Sequence, residues 1–320
     1  MFLKPVHILV SGGGLLENIL SARLRQSFLP FQKEWEGIQE IRLRSGQPLA
    51  LRLSGEEWFL DAGGKQIKTE QRALRVTAED IQESMAYICQ YSLYAYENEI
   101  RQGFITIRGG HRIGVAGQTA AADGKVGSIS YVSSLNIRVA HQIKGCGEPF
   151  FPCLWENGRP CHTLIVSPPG GGKTTLLRDF IRLFSNGFQK YPGMSVSLVD
   201  ERSEVGACYM GIPQNDVGIR TDVMANCPKT EGIQMMIRSM APRVVAFDEL
   251  GGPGDMDAVL EAVYSGCRIL TTIHGSCLDD VKQKGCFGLF ERYVFLNGWQ
   301  RAGKVDAVLD SKGRVLFKAV

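Results

Sequence analysis

Residues 167–174 read Ser-Pro-Pro-Gly-Gly-Gly-Lys-Thr, with the apolar run Thr163-Leu-Ile-Val166 before them and a helical pattern behind. A glycine-rich turn between a strand and a helix has one well-defined chemistry. Gly170, Gly171 and Gly172, led in by Pro168 and Pro169, let the backbone curl so that several N–H groups face phosphate oxygens. The helix start adds its own N–H groups and partial positive charge. Lys173 is placed to reach the β- and γ-phosphates, and the Thr174 hydroxyl to ligate Mg²⁺. The expected binding segment is therefore Ser167 to Thr175, with ATP and Mg²⁺ as ligands. The usual pattern opens with glycine where Ser167 stands.

A phosphate loop needs acids to hold the metal and position water. Two candidates end apolar runs, where ligands bind in open α/β sheets. One is Val196-Ser-Leu-Val-Asp200-Glu201-Arg202-Ser-Glu204 and the other Val244-Val-Ala-Phe-Asp248-Glu249. Asp248 is expected to accept from a Mg²⁺-bound water, and Glu249 to polarise the attacking water. A further run, Arg268-Ile-Leu-Thr-Thr-Ile-His274, ends in a group able to sense the γ-phosphate. Arg202, Arg220 and Arg238 are candidates for positive charge in the transition state, acting in cis or from a neighbouring subunit.

The elements that must carry these residues divide the chain. From about residue 159, apolar runs at 163–166, 196–199, 243–247 and 268–272 alternate with helical patterns, the first over 172–183. That alternation predicts a parallel sheet with helices on both faces. The first half predicts a smaller α+β domain. It has helical patterns over 14–28 and from Thr77 to Tyr96, a strand–turn–strand over 38–52, and strands at 104–108, 111–118 and 134–140. Arg112 and Arg138 read as the solvated face of that sheet. The Gly- and Pro-rich stretch 145–160 reads as the boundary, giving domains 1–145 and 146–320. Gly12 to Gly14 imitate a dinucleotide fingerprint, but Glu17 stands where its last glycine belongs, so a plain turn is expected.

Bulk composition narrows the classes. The chain has 320 residues, 44% hydrophobic and 22% charged, room for about two domains. Its 36 basic and 33 acidic residues leave +3, too balanced for a nucleic-acid footprint, so no nucleic acid is expected as partner. No apolar run reaches the roughly 20 residues of a membrane helix, and the short apolar start is not expected to be a signal peptide. Nine cysteines without a Cys-x-x-Cys suit a reducing cytosol. Cys146, Cys153, Cys161 and His162 match no zinc spacing.

Taken together, the loop, the Asp-Glu-Arg-Ser-Glu segment at 200–204, Pro-Gln-Asn-Asp-Val-Gly-Ile-Arg-Thr-Asp-Val at 213–223, Ile-Arg-Ser-Met-Ala-Pro at 237–242, Asp-Glu-Leu-Gly at 248–251 and Thr-Ile-His-Gly at 272–275 resemble the stage III sporulation protein AA family. Glu-Ile-Arg-Leu-Arg-Ser-Gly-Gln-Pro-Leu at 40–49 fits it too, so the resemblance spans nearly the whole chain. That family is similar to type II and type IV secretion ATPases. The resemblance implies a RecA-like P-loop NTPase domain after a smaller α+β domain, working as a hexameric ring. It also implies a place on the mother-cell cytoplasmic side of a mother cell–forespore channel, with membrane-embedded partners. By the same similarity, 200–204 resembles the acidic box, 248–249 the second acidic motif, His274 the histidine box and Arg238 an arginine of the nucleotide site. The order Asp200-Glu201 reverses that of the secretion enzymes, which leaves the base open between Glu201, the favoured residue, and Glu249. Gly251-Gly-Pro-Gly-Asp255 reads as flexible and loosens the expected geometry at Glu249.

The reading is an ATP-hydrolysing motor. Its alternative is a nucleotide-dependent assembly scaffold with little hydrolysis. The chain lacks the basic, aromatic stripe a DNA-translocating motor would use, and it lacks the Leu-Ser-Gly-Gly of a transporter-type ATPase.

Overall fold

The computed structural model describes residues 7–9, 16, 18–31, 37–101, 103–122, 125–252, 254–297 and 303–319. The chain separates into two compact units, 9–141 and 142–320 joined by the first residues, 1–8.

The unit 9–141 is built on a seven-stranded antiparallel sheet. Its strands are β1 (Ile38–Arg44), β2 (Ala50–Leu53), β3 (Glu56–Leu60), β4 (Gln66–Ile67), β5 (Phe104–Thr106), β6 (Arg112–Ala122) and β7 (Lys125–Arg138). Their order is β4-β3-β2-β1-β7-β6-β5. Alternation puts Ile41, Leu43, Leu51, Ile113 and Ile137 on one face, all buried. Helices α1 (Ala22–Phe28), α2 (Ala78–Ile88) and α3 (Glu97–Arg101) contribute Leu24, Phe28, Ile81, Ile88 and Ile100 to the same core. Thr77 and Asp80 form a capping box at the start of α2. The buried Asp80 carboxylate also accepts from Ser21 Oγ at 2.7 Å, tying α1 to α2.

The unit from residue 142 holds an eight-stranded sheet. Its strands are β8 (Thr163–Ser167), β9 (Val196–Asp200), β10 (Thr221–Ala225), β11 (Val244–Leu250), β12 (Arg268–His274), β13 (Arg292–Asn297), β14 (Lys304–Asp310) and β15 (Val315–Lys318). The order is β10-β9-β11-β12-β8-β13-β14-β15, parallel from β10 to β13 and antiparallel beyond. Helices α4 (Lys173–Asn186), α5 (Lys229–Met240), α6 (Asp255–Tyr264) and α7 (Leu278–Gln283) connect the parallel strands. Continuous burial along β8 and β9 reflects cover on both faces. Ile165, Leu198, Ala246 and Leu270 pack with α4, whereas Leu164, Val199, Val245 and Ile273 pack with α5 and α6. Among the described residues no helix is long and apolar enough to cross a membrane.

Some expected elements differ. The helical stretch over 14–28 is interrupted: Leu16 and Asn18 are helical, 19–21 are not, and a helix restarts over Ala22–Phe28, where Ser21 caps it by accepting Leu24 N–H. Leu15 and the Gly12–Gly14 turn lie outside the described residues. The helix from Thr77 stops at Ile88, where Gln90 and Tyr91 take left-handed φ of 49° and 60°. The strands at 111–118 and 134–140 belong to one long hairpin, 112–138. Glycine, alanine and serine in its distal half give no apolar alternation to read. Strands β10 and β13 to β15 add to the expected ones, although Tyr293-Val-Phe-Leu in β13 is an apolar run of the same kind. The stretch 145–160 is not a loose tether. Gly145 and Gly147 donate to Asp179 on α4 at 3.1 and 2.7 Å, and Phe151 and Leu154 are fully buried. The Phe151 ring centroid lies 4.7 Å from that of Phe184 and 5.8 Å from Tyr191. Phe151→Ala should therefore lower stability by about 3–5 kcal/mol in urea unfolding. A loss under about 1 kcal/mol would contradict the packing role.

Candidate active site at the strand ends

Strands β9, β11, β12 and β8 are successive neighbours, and Asp200, Asp248-Glu249, His274 and Ser167 sit at their C-terminal ends. Ser167 is the last residue of β8, fully buried, paired with His274, its hydroxyl donating to Pro168 O at 3.0 Å. Its ordinary strand backbone explains why glycine is not needed there. Left-handed backbone begins at Gly170 (φ 72°) and returns at Gly172 (φ 93°), the N-cap of α4. Lys173 opens that helix and is only 8% exposed. Thr174 and Thr175 are half-buried in its first turn, whose N–H groups have no partner inside the helix.

Lys173 Nζ lies 2.8 Å from His274 Nδ1 and 3.5 Å from Ser167 O. His274 Nε2 lies 3.0 Å from Glu249 Oε1. An ammonium only donates, so Nδ1 accepts and Nε2 carries the proton to Glu249. Thr174 Oγ1 is 3.5 Å from Asp248 Oδ1. The strand is bulged between Ala246 and Glu249, which re-aims the two adjacent acids away from simple alternation.

Burial, then the charges of Glu204, Asp200 and Glu249, push the Asp248 carboxyl up to about 6; Lys173 opposes them. Burial lowers the Lys173 ammonium, with Glu249 and Asp248 raising it and Lys284 lowering it. A divalent cation beside Thr174 and Asp248 would relieve this crowding, so the donor set fits Mg²⁺. Among the described residues no group of three or more His, Cys, Asp or Glu is arranged to hold a metal ion. Mg²⁺ takes one or two protein oxygens and completes its shell with phosphate and water, and Thr174 with Asp248 would supply such a pair.

The acidic segment divides its labour. Asp200 is fully buried and accepts from the N–H groups of Glu204, Val205 and Gly206 at 2.7–3.2 Å. Burial nevertheless raises its pKa. Arg178 of α4, itself buried, closes the same turn by donating to Val205 O at 2.6 Å and Glu204 O at 2.8 Å. Glu201 is exposed, and its charge is felt at the Cys227 thiol. Glu204, half-buried, acts on Asp248 instead. The sequence reading favoured Glu201, with Glu249 second, and did not single out Glu204. The distinguishing signal is the turn itself, set by Asp200 accepting from residues four to six ahead.

The structure does not bring the candidate arginines to this cluster. Arg238 is exposed in the last turn of α5, and Arg202 is exposed after β9. Arg220 donates to Ser185 O at 2.9 Å, at the C-terminal end of α4. Fourteen helical residues rising ~1.5 Å each place it about 20 Å from Lys173. The stretch expected to be flexible is closed. Asp255 accepts from Gly251 and Gly252 N–H at 2.9 and 2.8 Å and pairs with Lys229 at 2.8 Å, and Lys229 also donates to Glu249 O. Pro253 lies outside the described residues.

The model of the family described as sporulation stage III, protein AA, matches residues 14–316. Stage III sporulation protein AA of Bacillus subtilis (strain 168) is 38% identical over 293 residues, 90% of this chain and 91% of that one. The chain belongs to the stage III sporulation protein AA family. Among solved structures, the Legionella pneumophila ATPase DotB matches with a TM-score of 0.55 at 13% identity, covering 85% of this chain and 76% of its own. The pilus retraction motor PilT, solved with bound ADP, matches at 0.54 and 15%, covering 84% and 77%. These likenesses show a shared P-loop NTPase fold.

The carboxyl of Asp248 gives a stability prediction. Its folded value of about 6 exceeds the ordinary 3.8, so the folded protein binds more protons than the unfolded one between these values. Stability then falls as pH rises through that window, and the full cost persists above it. Asp248→Asn should raise the melting stability of the nucleotide-free protein near pH ~8 by about 1–3 kcal/mol, the gain vanishing toward pH ~4. A lower Tm for the variant near pH ~8 would contradict this.

Proposed function

We propose that this family member is an ATP-hydrolysing motor. The observation that carries the reading is the set of strand ends: a glycine loop opening α4, with Lys173, His274 and Glu249 in one hydrogen-bonded chain and Thr174 facing Asp248 beside it. Residues 167–175 bind the phosphates of ATP. Thr174 and Asp248 hold Mg²⁺, which supplies charge neutralisation for phosphoryl transfer. Lys173 takes the β- and γ-phosphates, and His274 reads the γ-phosphate from the adjacent strand.

Glu204 is the proposed base in place of Glu201, because the turn closed by Asp200 and Arg178 leaves Glu204 half-buried and Glu201 exposed. Glu249 is held by His274 and acts as support. Most of the catalytic gain in such sites is positioning and charge stabilisation, so the burial of the cluster matters as much as any single acid. Arg238 and Arg202, both exposed, act from one subunit on another in a ring of six. Membership of the sporulation family supports work on a mother cell–forespore channel from the cytoplasmic side, with membrane-embedded partners. The secretion-ATPase fold supports a mechanical output.

The assignment is tested by turnover and binding together. Glu204→Gln should keep ATP affinity within about threefold while cutting phosphate release at least a hundredfold, the scale of losing a general base. Glu201→Gln should hydrolyse at close to the wild-type rate. Loss of turnover in Glu201→Gln with normal Glu204→Gln would reverse the assignment. Tight ATP binding without turnover in wild type would favour the scaffold reading.

A further inference from the structure

We infer that Gly303, at the end of the β13–β14 hairpin, is a positioning residue for the phosphate loop: its N–H holds the Gly171 carbonyl and so fixes which way the Gly172 N–H points. The inference rests on the phosphate-loop reading and deepens it. β13 pairs with β8 as far as Phe295 opposite Val166, then runs on to Asn297, which pairs with Lys304 of β14. The hairpin therefore flanks the start of the loop. β14 has one residue more than β13 between the pairs Phe295–Ala307 and Leu296–Val305, and such a bulge turns the end of a hairpin out of line with its sheet. Just before Lys304, Gly303 takes a left-handed φ of 82° and donates its N–H to Gly171 O at 2.8 Å.

The peptide between Gly171 and Gly172 has no side chain on either flank, so turning it over meets little steric resistance. The backbone around it is fixed. Gly171 N–H donates to Pro168 O at 3.2 Å, and Gly172 O accepts from Leu176 N–H at 3.0 Å in the first turn of α4. What remains is the rotation of that one plane, and the Gly303 donor selects it. A trans peptide sends its C=O and N–H in opposite directions. With the Gly171 carbonyl drawn to the hairpin, the Gly172 N–H faces the other way. The strand order β12-β8-β13-β14 puts the hairpin on one side of β8 and His274 on the other. Lys173 Nζ lies on the His274 side, 2.8 Å from Nδ1. The Gly172 N–H is thereby turned toward the side that holds the lysine, where one phosphate can accept from both. Without the Gly303 donor the plane turns over in part of the molecules, and affinity falls with the fraction left in the competent orientation.

The test is ADP affinity by calorimetry on the full chain, assembled by ligation between Gly285 and Cys286 so that segment 286–320 is synthetic. Glycolic acid in place of Gly303 exchanges the N–H for an ester oxygen and adds no side chain. This chain should bind ADP about three- to tenfold more weakly than the all-amide chain, the scale of one lost hydrogen bond. Glycolic acid in place of Gly313 is the control. It removes a comparable turn hydrogen bond between β14 and β15, from Gly313 N–H to Asp310 O at 3.0 Å. Both esters should melt at a lowered temperature, but the Gly313 ester should keep the all-amide affinity. Equal ADP affinity in the Gly303 ester and the all-amide chain overturns the inference, as does an equal loss in the Gly313 ester. No ADP binding by the all-amide chain overturns the phosphate-loop reading and this role with it. The unmodified protein gives a second readout by amide NMR. The Gly303 amide should resist hydrogen exchange with and without ADP, and ADP should shift the Gly172 amide proton. A freely exchanging Gly303 amide, or an unmoved Gly172 amide at saturation, contradicts the positioning role.

Discussion

Three carboxylates crowd that of Asp248 with one buried lysine opposing them, and that crowding is the constraint on which the rest of the candidate site depends. Asp248 is charged only against the fields of Glu204, Asp200 and Glu249, and Lys173 is the opposing cation. Burial raises the cost of each unpaired charge. The crowding is offset by partners: Glu249 has His274, Asp200 has three amides, and Lys173 has the imidazole. A phosphate group and a divalent cation arriving together would answer both signs of charge at once.

The fold makes this crowding possible. A parallel sheet covered on both faces offers deep strand ends whose backbone is fully paired, so polar side chains can be concentrated there without opening the core. Arg178 illustrates the economy of the arrangement. One turn beyond Lys173 on α4, it is buried and secures the Glu204–Val205 carbonyls, linking the helix of the glycine loop to the turn that presents Glu204. Asp179, next to it, receives the amides of Gly145 and Gly147. The helix that opens on Lys173 is thus anchored on both flanks.

Much of this was legible in the sequence, for identifiable reasons. The glycine loop and the strands ending in Asp200, Asp248 and His274 are short apolar runs with a polar stop, which a linear reading detects. Ser167 looked irregular and proves to be an ordinary strand residue. What linear reading missed depends on geometry that spacing does not encode. The bulge before Glu249 is silent in composition, and it decides where two adjacent acids aim. The capping of a turn by Asp200 moves Glu204 inward and leaves Glu201 outside. Gly251–Asp255 looked loose because glycine advertises freedom, while the Asp255 carboxylate and Lys229 remove it. The arginines could not be placed because their roles depend on which surface they meet.

The central claim is that the cluster around Lys173 hydrolyses Mg-ATP. Steady-state phosphate release by the wild-type chain, with Lys173→Ala as the matched control, tests it most directly. The account predicts Mg²⁺-dependent release by wild type that Lys173→Ala abolishes. Release by wild type no greater than that of Lys173→Ala, under conditions where wild type is saturated with ATP, would contradict it.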